Sequence, residues 1–456
     1  MAKVMTGGKA CTINPLRLSQ PLGAALAFLG MDRCLPLMHG AQGCTSFGLV
    51  LLVRHFRETI PLQTTAMSEV TTILGGLENV REAILNIVNR AHPRIIGICT
   101  TGTTEVKGDD LTGFLTLIRQ LHPELKLVEL LDVSTPDFNG SFQDGWAKTV
   151  ERIIESLVTE SRMKVINSRH INVLPGSYLT PGDIEELRDI IESFSLEPVF
   201  LPDLSGSLDG HVPDEYTPTT LGGTTLEQVR GMGNACHTIA IGEQMRGAAI
   251  TLEHRTGVPY TLFDRLTGLE CNDRLISLLS TLSGVPVPGR LRRQRGQLVD
   301  AMLDGHFFFG NKKVAIAAEP DQLFGYAAWM HEMGCEIVAA VTTAETPVVE
   351  KVPAETVVIG DLGDLEDRAA EAEILVTNSQ GRQTAERLAI PHFRIGLPVH
   401  DRIGANHLVS VGYRGTRDLI FSVGNMFMAI SHEPTPQTWM PLSNTEQECS
   451  GKCAPM

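Results

Sequence analysis

The feature that most constrains this chain is the repeated switching of its apolar residues between two periods. Val80, Ile84, Ile87 and Val88 recur at helical spacing, Pro93 interrupts, and Ile95-Ile96-Gly97-Ile98-Cys99 then reads as a buried strand. Leu111, Phe114, Leu115, Ile118 and Leu121 mark a second helix behind Asp109 and Asp110, whose carboxylates suit a helix N-terminus. A strand over 127–133 and a helix carrying Trp146, Val150, Ile153, Ile154 and Leu157 complete a first block. A strand over 171–174 opens the second, followed by Thr180-Pro181-Gly182-Asp183 as an N-cap with proline in first helical position, the stripe Ile184, Leu187, Ile191 and Phe194, and a strand over 199–201. Past the basic, glycine-rich stretch 284–296, strands at 314–317, 337–341, 357–359 and 374–376 alternate with helices, and Leu419, Val423, Phe427 and Ile430 mark the last.

Parallel strands need crossover connections, so this alternation predicts an α/β protein of three doubly wound domains with mainly parallel sheets. The expected divisions are 1–165, 166–297 and 298–431, with a loosely ordered tail at 432–456. A length of 456 residues exceeds what one growing core accommodates, which fits several domains.

A formal charge of −15 argues against nucleic acid and against an anionic membrane surface. The apolar run Leu22–Met31 follows a long polar stretch, is followed by Asp32-Arg33-Cys34 and lacks the small-residue cleavage site of a signal peptide, and no stretch is long enough to span a bilayer, so a cytoplasmic protein is expected. Nine cysteines, sparse, odd in number and without a C-x-x-C pair, exclude a disulfide framework and a ferredoxin-type cluster held by one chain.

The usual nucleotide and hydrolase signatures are missing. Gly231-Met232-Gly233 lacks the third glycine of a dinucleotide fingerprint, and neither a phosphate loop, a zinc-protease helix nor a nucleophile elbow occurs. What remains is His39-Gly40-Ala41-Gln42-Gly43-Cys44, a thiol placed just after two glycines that let backbone approach a bulky group. A lone thiolate can serve a cluster when another chain supplies the other ligands. Other candidates have plainer readings: Cys34 and Cys99 as packed thiols, His55, Arg57 and Glu58 as a solvated helix end, His306 as a buried ring bonded to backbone, Asp209 and His211 as turn formers.

Several longer stretches, taken together, resemble the nitrogenase component 1 family from about Pro15 to Ile430. They are Pro36 through Cys44, Arg54 through Glu58, Thr100-Thr101-Gly102 with Gly108-Asp109-Asp110, Thr135-Pro136-Asp137-Phe138, Pro202 through Gly210, and Gly412-Tyr413-Arg414-Gly415. The resemblance implies that the β subunit of the dinitrogenase binds an eight-iron cluster through three cysteines of this half. Aligned by motif those positions are Cys44, Leu62 and Gly102, so two thiolates are lost. A smaller cubane needs only four ligands in all.

That pattern looks like the cofactor-assembly branch of the family. It implies a non-catalytic scaffold subunit for biosynthesis of the iron–molybdenum cofactor, pairing with a NifE-like companion in a heterotetramer with two copies of each chain. Cys44 is then the cofactor-binding and metal-ligating residue here, one ligand of a [4Fe-4S] cluster shared with the companion, which also holds most of the transient cofactor precursor. Transient docking of the nitrogenase iron protein, a precursor donor and the apo-dinitrogenase is implied as well. The alternative is a β-type electron-transfer subunit of a nitrogenase or of a protochlorophyllide- or chlorophyllide-type reductase.

Overall fold

The computed structural model describes residues 1–9, 12, 14–160, 169–212 and 214–431. The stretch 432–456, expected to be a loose tail and carrying Cys449 and Cys453, lies outside the described residues. In chain order the strands are β1 (Lys3–Thr6), β2 (Cys34–His39), β3 (Gln63–Thr64), β4 (Ile95–Thr100), β5 (Glu129–Val133), β6 (His170–Leu174), β7 (Glu197–Phe200), β8 (His237–Ile241), β9 (Tyr260–Phe263), β10 (Lys313–Ala318), β11 (Glu336–Thr342), β12 (Thr356–Ile359), β13 (Ile374–Thr377) and β14 (His392–Arg394). They form three sheets, ordered β3-β2-β4-β5, β7-β6-β8-β9 and β1-β12-β11-β10-β13-β14. Every pairing is parallel. The expected α/β class with parallel sheets is therefore what the chain adopts.

Strand order defines where sites form. In each sheet, β1 set aside, the earliest strand in sequence has later strands on both sides, and the loops leaving the carboxyl ends diverge there, opening a crevice. This switch lies between β2 and β4 in the first sheet, β6 and β8 in the second, and β10 and β13 in the third. One element crosses the sequence: β1 pairs in register with β12, Lys3 against Thr356 through Thr6 against Ile359.

The helices that position the first sheet are α1 (Gln20–Leu29), α2 (Gln42–Phe56), α3 (Glu69–Leu74), α4 (Leu77–Ala91), α5 (Gly102–Lys107), α6 (Leu111–Leu121) and α7 (Phe142–Leu157). Every residue of α1 is buried. It crosses α7 at backbone contact: a Cβ on Gly23 would lie 1.9 Å from the Phe142 carbonyl oxygen, and one on Gly145 1.9 Å from that of Gln20. Only glycine allows such an approach. The expected cap at Thr180 is present, its hydroxyl accepting the Asp183 N–H at 3.0 Å ahead of the helix Pro181–Glu192. Cys34 and Cys99 are packed thiols in β2 and β4, as expected.

Two readings need correction. His55 is 8% exposed, not a solvated helix end. Its Nδ1 accepts the backbone N–H of Val399 at 2.9 Å, because the loop after β14 folds over the last turn of α2. His306 is exposed rather than buried, since the stripe of the helix Gly289–Phe309 that packs inward carries Leu298, Ala301, Gly305 and Phe309 instead.

Candidate metal centre

Residues at the switch point of the first sheet come from three loops. Leaving β2, the chain turns at Gly40 and enters α2 at Gln42, so Cys44 stands in the first helical turn with its side chain exposed. Leaving β4, it enters α5 at Gly102, and leaving β5 it passes through Asp137. Gly40 is required by crowding, because a Cβ there would sit 2.3 Å from the Thr101 hydroxyl oxygen. Gly43 is the opposite case: a Cβ would meet nothing within 4 Å, so space next to Cys44 is open.

Asp137 ties this corner together. Its Oδ2 accepts the Gly102 N–H at 3.0 Å, while its Oδ1 is buried without a partner among the described residues. Partial burial, followed by the negative charge of Asp137, pushes the Cys44 thiol pKa upward. Burial raises that of Asp137 too, against the opposing pull of the Gly102 N–H and Arg17.

Beneath the corner, His39 ends β2 fully buried, with Nδ1 3.0 Å from the Thr65 hydroxyl and Nε2 3.3 Å from Asp109 Oδ2. Lys107 holds the other oxygen of Asp109 at 3.1 Å. Burial lowers the His39 pKa, and Asp109 works against it. The His39 carbonyl accepts the Thr101 hydroxyl at 2.9 Å, which fixes the two loops to one another.

Leu62 is buried at the entrance to β3, and Gly102 donates to Asp137, so neither offers a ligand. Among the described residues no group of three or more His, Cys, Asp or Glu could hold a metal ion alone. The donor set therefore suits a group completed from outside this chain: one accessible sulfur beside open space. Elements around it present an apolar surface. Phe47 on α2 is 65% exposed, Ile73 and Leu74 on α3 are 79% and 81%, Val106 on α5 is 77% and Phe138 is 65%. No residue of α3 is buried, so in this chain alone the helix has no core to pack on.

The profile of the family described as nitrogenase component 1 type oxidoreductase matches residues 19–428. The chain belongs to the nitrogenase component 1 family. Among its relatives is the nitrogenase iron-molybdenum cofactor biosynthesis protein NifN of Bradyrhizobium diazoefficiens, 54% identical over 96% of this chain and 95% of that one. The protein of the same name from Nostoc sp. is 48% identical over 94% of this chain and 96% of its own. Among solved structures, a chain of "Nitrogenase Cp1 at pH 6.5" superposes with a TM-score of 0.88 at 30% identity, covering 96% of this chain and 98% of the other. Within the nitrogenase component 1 fold, Cys44, Gly102 and Asp137 stand on the loops that leave β2, β4 and β5.

Sequence reasoning singled out Cys44 and passed over Asp137, although Thr135-Pro136-Asp137-Phe138 was among the stretches that carried the resemblance. The signal available was position: a carboxylate just past β5, the strand beside β4. No helix among the described residues is long and apolar enough to cross a membrane.

Proposed function

We propose that this chain is a cytoplasmic scaffold subunit for biosynthesis of the nitrogenase iron–molybdenum cofactor and not itself a catalyst. It pairs with a NifE-like companion, two copies of each, and Cys44 donates one thiolate to a [4Fe-4S] cluster shared across the seam. When bound, such a cluster supplies one-electron transfer. The chain's own contribution is to aim the sulfur, to carry negative charge beside it through Asp137, and to exclude water with Phe47, Ile73, Leu74 and Phe138. The cofactor precursor rests mainly on the companion before its transfer to apo-dinitrogenase, with transient docking of the iron protein and of a precursor donor.

The observation that carries this reading is a single accessible thiol at a switch point, set in an apolar surface, with Leu62 and Gly102 where further ligands would stand. The names borne by close relatives support the assembly role. Co-expression with the companion without oxygen, followed by iron counting and low-temperature electron paramagnetic resonance, tests it. Cys44→Ala should remove or alter the shared cluster's signal while the subunits still associate. Unchanged iron and an unchanged spectrum would rule out Cys44 as a ligand.

A further inference from the structure

A second crevice lies where the switch points of the second and third sheets face each other, away from Cys44. Tyr178 follows β6, Glu319 follows β10, and the segment after β14 closes the third side. The enclosed cavity is about 340 Å³. Its walls are mostly apolar, with Leu18, Leu26, Phe142, Leu179, Phe393 and Ile395 among them. Two polar atoms on the wall have no partner. The Tyr178 hydroxyl is one; the other is Nδ1 of His392, a ring 8% exposed whose Nε2 donates to the Thr377 carbonyl at 3.2 Å. With hydrogen on Nε2, the Nδ1 lone pair faces nothing.

The mouth has the opposite character. Arg402 is exposed and its guanidinium donates only to the Asp401 carbonyl, at 3.0 Å. Arg394, the other guanidinium on the lining, is paired with Asp401 at 2.7 Å, so Arg402 is the lining cation without a carboxylate partner among the described residues. The floor holds buried carboxyls without a cation. Glu319 accepts from the Ser141 hydroxyl at 2.7 Å, and Asp183 accepts the Ser410 N–H at 2.6 Å, with burial lifting their pKa values to about 7 and about 6. A second anion would be repelled there.

We propose that this cavity binds a small amphiphilic monocarboxylate, its head held by Arg402 at the mouth and its uncharged body seated between the sheets. The Arg402 guanidinium selects the acid; an acidic floor rejects polyacids; the apolar wall requires a hydrocarbon body. A hydroxyl or ketone on that body would find an unpartnered donor in Tyr178 and an acceptor in His392. The inference stands apart from the cluster reading, because none of these residues lies in the corner around Cys44.

Calorimetric titration of the full chain with octanoate, octan-1-ol and octylammonium tests it. Octanoate should bind at least tenfold more tightly than either neutral or cationic analogue, and Arg402→Glu should weaken it at least fivefold without moving the melting temperature, since Arg402 is exposed. No octanoate binding at millimolar concentration, equal binding of the three probes, or binding that survives Arg402→Glu would each overturn the proposal.

Discussion

The ring of His55, in the last turn of α2, accepts the backbone N–H of Val399 at 2.9 Å and so fastens the helix that begins near Cys44 to the loop that follows β14. The histidine is neutral, burial holding its pKa down at about 4. His55→Leu keeps the volume and removes the acceptor, leaving a buried N–H without a partner. Such an orphan costs about 1–3 kcal/mol, and a urea denaturation midpoint lowered accordingly is the expected result. A midpoint within error of the parent would mean that the loop finds another acceptor.

The crossing of α1 and α7 makes a harsher test of packing. Gly145→Ala drives a methyl into the Gln20 carbonyl. Overpacking of this kind costs about 1–3 kcal/mol, and the upper end applies because the obstacle is backbone. Thermal melts should show the loss, and Gly43→Ala, which meets open space, should show almost none.

Glu319 makes stability depend on pH in a known direction. Its pKa is raised from 4.5 to about 7, so the folded chain keeps a proton that the unfolded chain has released. The carboxyl's stabilising contribution is whole below pH 4.5 and is lost as pH rises through about 7. Glu319→Gln removes this dependence: the variant should match the parent near pH 5 and melt higher than it at pH 8, by a margin on the order of 2 kcal/mol. Equal melting temperatures at both pH values would contradict the assignment.

On the surface near Cys44, the expectation concerns association. Ile73 is 79% exposed in the isolated chain and α3 has no buried residue. Ile73→Asp should leave the melting curve of this chain unaltered and abolish co-purification with the companion, because a charge placed in a closing apolar seam has no counter-ion there. Retained association, read by size-exclusion chromatography, would place the seam elsewhere.

Much of the framework could be read before any coordinates. The runs at 95–99, 171–174, 314–317 and 374–376 lie within β4, β6, β10 and β13, because strands buried on both faces are written as continuous apolar residues. β2 was harder: Pro36 sits in its centre, opposite Gly97 of β4, and proline speaks against an interior strand. β1 was invisible, since four residues whose partner lies 353 positions away carry no local signal. Cys44 was singled out through resemblance, not through spacing. Tyr178 and Glu319 escaped notice because their meeting depends on how two sheets face each other, which no single segment encodes.

The pairing of β1 with β12 also has a consequence for how the chain is made. Lys3–Thr6 leaves the ribosome 353 residues ahead of its neighbour Thr356–Ile359. At ordinary elongation rates that interval is roughly 20–70 s. Through that time the nascent leading strand has its backbone edge unsatisfied, open to chaperones or to stray strands of other chains, so slowing translation late in the message should increase aggregation before release.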